Sequence, residues 1–351
     1  MKNVLFASVV MGAGVCGGMA TVAAAEQTVT IAPALRAGDV ARSNVLTTMS
    51  MDFPETDDGL MNSIMQDTLL TASQEVTWTV QRVEPTYSVI HQNFSNTRTA
   101  TSQASTMMAR MMLLHYEGMS GPLECRVSGS GEVEDVLNGG EVAERAGATL
   151  KKMEPAIRES MKQATSAIHK DDREIIDLMF QQTFDSPAMR ERLATMQIGK
   201  PLFTAAWLWG KTLTVGTPVT VPVSRNELLM GQEVAGASMT EDRQVTLVSA
   251  NEHDLHVKWT MNATFKLPPS ERPKIDMSTW PEDLRKKHER SLSLTTALSE
   301  TQRYTETGEI RLDRRTGMPL DGSIIMRGGN GAVSMQMVVI YSPVSTVKTG
   351  D

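Results

Sequence analysis

The feature that most restricts the folds open to this chain is a change of hydrophobic period, from two to about 3.6 and back to two. Between about Thr28 and Val136 the chain is rich in Thr, Val and Ser and alternates, as in Thr28-Val29-Thr30-Ile31, Glu75 to Val80 and Tyr87 to Ile90. Such segments put one side into a core and the other into water. From about Gly139 to Met196 the spacing lengthens. Val142, Ala146, Leu150, Met153, Ile157, Met161, Ala164 and Ile168 stand three or four apart, as on one side of a helix. Pro155 falls inside that stripe and predicts a kink or a split, because it removes an amide donor and crowds the preceding turn. A further helix is expected from Asp171 or Asp172, burying Ile175, Ile176 and Met179. A last one is expected from Ser186 as N-cap with Pro187 in the first turn.

Strand patterning returns between Leu202 and Val347: Thr217 to Val223, Val245 to Ala250, Asp254 to Met261, and several runs after Ser291. Gly328-Gly329-Asn330-Gly331 reads as a hairpin turn, Pro281 to Arg290 as a short helix, and Asp52 to Asp58 as a loop. A β–α–β block order without regular strand–helix alternation predicts an α+β fold. Its sheet is expected to be large and mostly antiparallel, with a helical segment (about 139–197) between two β-rich halves. The mature chain is expected as one domain, 26–348: β over 26–136, helical over 137–200, β over 201–348.

Residues 1–25 predict a cleaved export signal. Lys2 supplies a positive start, Val4 to Val15 an apolar core, and Ala23-Ala24-Ala25 small residues before the polar Glu26. No charged stop follows, which disfavours an uncleaved anchor. Val15 precedes Cys16 where a lipoprotein signal wants Gly or Ala, which disfavours lipidation there. The expected location is periplasmic or secreted. Losing Lys2 takes the net charge from −7 to −8. An acidic chain without an extended basic block is a poor partner for nucleic acid. Arg285 to Arg290 is short enough to be one solvated helix face. Cys125 is the one cysteine left, so the mature chain has no intrachain disulfide and must be held by its core.

Short turn motifs recur. Leu35-Arg36-Ala37-Gly38-Asp39-Val40 and Leu213-Thr214-Val215-Gly216-Thr217-Pro218 both give Leu-x-x-Gly before a strand. With Gly131-Glu132-Val133 and the Gly308 to Gly317 hairpin, they make the chain resemble a loose class of bacterial envelope proteins of unassigned function. That class is similar in outline to half-barrel lipoprotein carriers. The resemblance implies a curved sheet or half-barrel holding acyl chains under helices, and it implies no catalytic residues. Thr217 stands where Asp is more usual in the class.

Established chemical motifs are absent. There is no His-Glu-x-x-His, paired Cys, nucleophile elbow or phosphate loop. His253 and His256 are three apart in an expected strand and so point to opposite faces. Ser345 to Gly350 matches two penicillin-binding signatures, but they overlap at the C-terminus instead of lying apart. Asp313 is expected to face Asp321 across a turn, in a spacing that fits no calcium loop. No metal, cofactor or catalytic residue is therefore expected.

Methionine is abundant, with 25 residues. On a helix, Met108, Met111, Met112 and His115 would share a face, with Met107 beside them. Met49-x-Met51 and Met335-x-Met337 would each put two thioethers on one face of a strand. Such groups suit an adaptable apolar cavity, or Cu(I) as an alternative. Trp207 and Trp209, if extended, would face the same way at a cavity mouth; otherwise they clamp elements together. The expected function is non-catalytic binding of an apolar or amphiphilic ligand, by Trp207, Trp209, Met108, Met111 and Met112. The alternatives are an envelope scaffold with a protein partner, a Met-rich Cu(I) binder, and an unrecognised hydrolase.

Overall fold

The computed structural model describes residues 27–52, 68–102, 116, 121–165, 205–222, 238–266, 282, 301–329 and 334–344. The alternating segments become strands β1 (Thr28–Thr30), β2 (Val40–Asp52), β3 (Thr68–Val83), β4 (Tyr87–Thr101), β5 (Gly121–Ser128) and β6 (Val133–Val136). After helix α1 (Gly139–Thr165) come β7 (Thr212–Thr214), β8 (Val219–Thr220), β9 (Ser238–Ala250), β10 (Asp254–Lys266), β11 (Thr301–Asp313), β12 (Pro319–Gly329) and β13 (Ser334–Pro343). The fold is β-rich and mostly antiparallel.

The two β blocks build one sheet of 11 strands in the order β6-β5-β4-β3-β2-β13-β12-β11-β10-β9-β8. Each block is a meander, and the first and last long strands, β2 and β13, join them from Ser334↔Asp52 to Pro343↔Ser43. The sheet does not roll into the half-barrel that the resemblance implied: it is open and uncurled. Its outer strands, β6 and β8, are separate edges and do not pair with each other. Both are short, at 4 and 2 residues, and each covers only part of the longer strand inside it, β5 and β9.

One face of the sheet is buried and the other is wet. On β3, Val76, Trp78 and Val80 are buried, and Thr77 and Thr79 between them are not. The buried face is covered at one end by a second layer. Strands β1 and β7 pair through Val29↔Leu213. A single 3-10 turn, Ala206–Leu208, precedes β7. Val29, Ile31, Ala206, Leu208, Trp209 and Leu213 from this layer join Val80, Ile90, Cys125, Val245, Val257 and Ile310 of the sheet in one apolar cluster. The tight connections at 84–86, 129–132, 251–253 and 314–318 all lie at this packed end.

Helix α1 runs unbroken through Pro155, so the stripe is not split in two there. Proline deletes one backbone bond and leaves those of the flanking turns, and the segment's other residues favour the helix. Its start is stitched to β5. The Asn138 side chain accepts from Glu124 N at 2.9 Å and donates to Pro122 O at 3.1 Å, and Arg145 Nη2 donates to the same carbonyl at 2.6 Å. Val142 is buried in the sheet cluster. The expected helices at 171–196 and 283–290, and the Asp52–Asp58 loop beyond Asp52, lie outside the described residues. The 330–331 part of the expected hairpin turn lies outside them too, but its flanks pair as a hairpin requires, Gly329↔Ser334.

Candidate functional site

Directly opposite residues on antiparallel strands share a face, so the strand registers order side chains into rows across the sheet. The row nearest the packed end's outer boundary runs Val245, Trp259, Gly308, Ile324, Val339, Thr47 and Ala72. All of these are buried. The next row outward runs Arg243, Met261, Glu306, Met326, Met337, Met49 and Leu70. Beyond it lie Ala263, Tyr304, Gly328, Met335, Met51 and Thr68. Met326, Met335, Met337, Met49 and Met51 therefore adjoin one another on β12, β13 and β2, and all five are half-buried. The lane they form is two inter-strand gaps wide, about 10 Å.

Both flanks of the lane are closed. On the β3 side, Leu70 and Ala72 are buried with Tyr116, and Met49 packs against them. Gln74 Nε2 donates to Tyr116 O at 3.4 Å. Burial pushes the Tyr116 phenol above its ordinary value, against a hydrogen bond with Thr47.

On the β10 side, Trp207 meets Trp259 edge to face, with ring centroids 5.5 Å apart at 81°. The Arg243 guanidinium lies 4.0 Å from the Trp207 ring centroid, and its Nη2 donates to Met261 Sδ at 3.5 Å. Trp259 fits only because position 308 is glycine: a Cβ there would stand 2.0 Å from the indole. Trp259 Nε1 and Tyr304 OH both donate to the Glu306 carboxylate, at 2.5 and 3.1 Å. Burial, then the Glu306 charge, raises the Tyr304 phenol well above its ordinary value, so it stays a protonated donor. The lane thus has an apolar thioether floor and, on one side, a carboxylate held by two neutral donors.

The two tryptophans singled out from sequence do different things. The segment is a 3-10 turn and not extended, so the two indoles do not face the same way. Trp209 is 1% exposed at the packed end, where its Nε1 donates to Gly317 O at 3.1 Å. Trp207 is half-buried at the flank of the methionine lane. Met108, Met111 and Met112 lie outside the described residues. The strand pairs Met49-x-Met51 and Met335-x-Met337 come face to face across the β2–β13 junction. Met326, Glu306, Tyr304 and Arg243 had no signal in the sequence, because their neighbours are set by register between distant strands.

Other candidates part company. Asp321 pairs with Arg311, while Asp313 Oδ1 accepts from Thr316 N and Oγ1, so the two carboxylates do not face each other as expected. His256 Nε2 lies 2.7 Å from Glu309 Oε1 and His253 sits in the 251–253 turn. Among the described residues, no three His, Cys, Asp or Glu gather as metal ligands. Cys125 is fully buried, and burial followed by the Glu124 charge pushes its thiol up to about 12, which suits an inert core residue and not a nucleophile. Residues 345–350 lie outside the described residues. No family model and no curated protein matches the chain.

Proposed function

We propose that this is a non-catalytic envelope protein, exported by its leader, that binds an apolar or amphiphilic ligand on the methionine lane. One observation carries the reading: Met326, Met335, Met337, Met49 and Met51 adjoin on a single face and keep part of their surface open, although the row next to them toward the packed end is buried. Thioether side chains are unbranched and polarisable, and they repack around ligands of varied shape. The Glu306 carboxylate beside the lane would orient the polar end of an amphiphile by accepting from it. No helix among the described residues is long and apolar enough to cross a membrane.

Native mass spectrometry with organic extraction, on protein from the envelope fraction of its own host, tests this. A stoichiometric lipid or other apolar small molecule is expected. Met337→Lys, which puts a charge in the middle of the lane, should weaken binding at least about tenfold, since an apolar ligand would have to cover an unpaired ammonium. Protein with nothing extractable and no affinity for an acyl probe would sink the reading and favour a protein partner.

A further inference from the structure

We propose that the lane also holds a soft monovalent ion, Cu(I) or its redox-inert stand-in Ag(I), between the thioethers of Met49, Met51, Met335 and Met337. The inference uses the same surface as the ligand reading but a different property of it, the sulfur and not the apolar area. Met49 stands opposite Met337 and Met51 opposite Met335, so the four Cα atoms mark the corners of a rectangle. Strand spacing and rise place each corner about 4 Å from its centre. An unbranched side chain with three rotatable bonds can span that distance and aim its sulfur inward. Met326, opposite Met337 on β12, is a fifth donor within reach.

The donor set selects the ion. Thioethers are soft and neutral, which suits Cu(I) and offers little to the harder divalent ions. No proton need leave before the metal binds, unlike thiolate or imidazole sites. The described residues bring no cluster of His, Cys, Asp or Glu to the lane that would recruit zinc instead. Residue choice points the same way. A sheet face favours β-branched side chains, and leucine would cover similar area; five adjoining methionines forgo both and keep sulfur. All four corners are only half-buried, so each keeps part of its side chain open to an ion, while Met49 and Met337 also pack against the buried clusters beside the lane.

The test titrates the purified full chain anaerobically with Cu(I) in competition with a chromophoric chelator, and in parallel with Ag(I). Dansyl-undecanoate serves as the apolar probe. One tightly held ion is expected, and the fourfold variant Met49→Leu, Met51→Leu, Met335→Leu and Met337→Leu should hold it at least about tenfold more weakly. Met318→Leu, at the packed end, should leave the metal affinity unchanged. X-ray absorption of the wild-type copper complex needs no variant and should show a shell of sulfur alone. A nitrogen or oxygen shell, or undiminished affinity in the fourfold variant, would overturn the proposal. Binding of the acyl probe without metal overturns this inference and leaves the ligand reading standing; metal without probe does the reverse.

Discussion

Arg315 reaches back to Asp39, 276 positions earlier, and donates to both of its carboxylate oxygens at 2.8 Å. The hydrogen bond from Arg315 chiefly holds the Asp39 carboxyl below its ordinary value of 3.8. A depressed native value means stability that is present above 3.8 and lost as pH falls through the lower one. Asp39→Asn should therefore melt earlier than the parent at pH 7, and the gap should close below about pH 4, as melting curves across pH would show. Gly131 makes a second residue-scale contact. At φ 81°, its missing Cβ would lie 1.7 Å from the Ala206 carbonyl oxygen, which is backbone and has nowhere to move. Gly131→Ala should cost about 2 kcal/mol or more in urea unfolding, from left-handed strain plus displacement of the 3-10 turn. Both positions belong to short motifs visible in the sequence. That the motifs meet one another was not visible, since nothing in a motif names its partner.

Elements diverge from their sequence pattern where the pairing slips. Ser95 pairs with Glu75 and Arg98 with Ser73, so Asn96 and Thr97 on β4 stand against Gln74 alone. Asn96 takes φ 54° and its Nδ2 donates to Glu75 Oε2 at 2.9 Å. The bulge reverses which residues of β4 face inward. Ile90, Gln92 and Phe94 are buried before it, and Thr97, Thr99 and Thr101 share the inward face after it. Asn96→Gly should stay within about 0.5 kcal/mol of the parent in chemical denaturation. Asn96→Val should lose about 1–2 kcal/mol, because a β-branched residue tolerates the left-handed region poorly. Alternation marked β4 as a strand but could not continue across the bulge, and the same bulge puts Thr101 level with Leu70 and the methionine row. Helix α1 shows the opposite balance. Its stripe was plain, and the proline inside it did not split it in two.

At the scale of the whole molecule the sheet has a packed end and a thioether end. Amides near the 84–86, 251–253 and 314–318 turns should be the slowest to exchange with deuterium, because the second layer buries the strands there. Amides at the β2, β12 and β13 ends by Asp52, Gly329 and Ser334 should exchange faster, and uniform protection along those strands would contradict this gradient. The sequence by itself determined that the chain would alternate into strands, change to a helix at Gly139 and return to strands, because period is a local property of side chains. It also determined which short turns would carry glycine. Only the tertiary structure decided that β13 pairs with β2 and joins both blocks into one open sheet. It also decided that Asp39 meets Arg315 and that Met49 and Met51 meet Met337 and Met335. A strand's periodicity says which face is buried but carries no address for the strand that will lie beside it, and the lane of methionines exists only in that choice of neighbour.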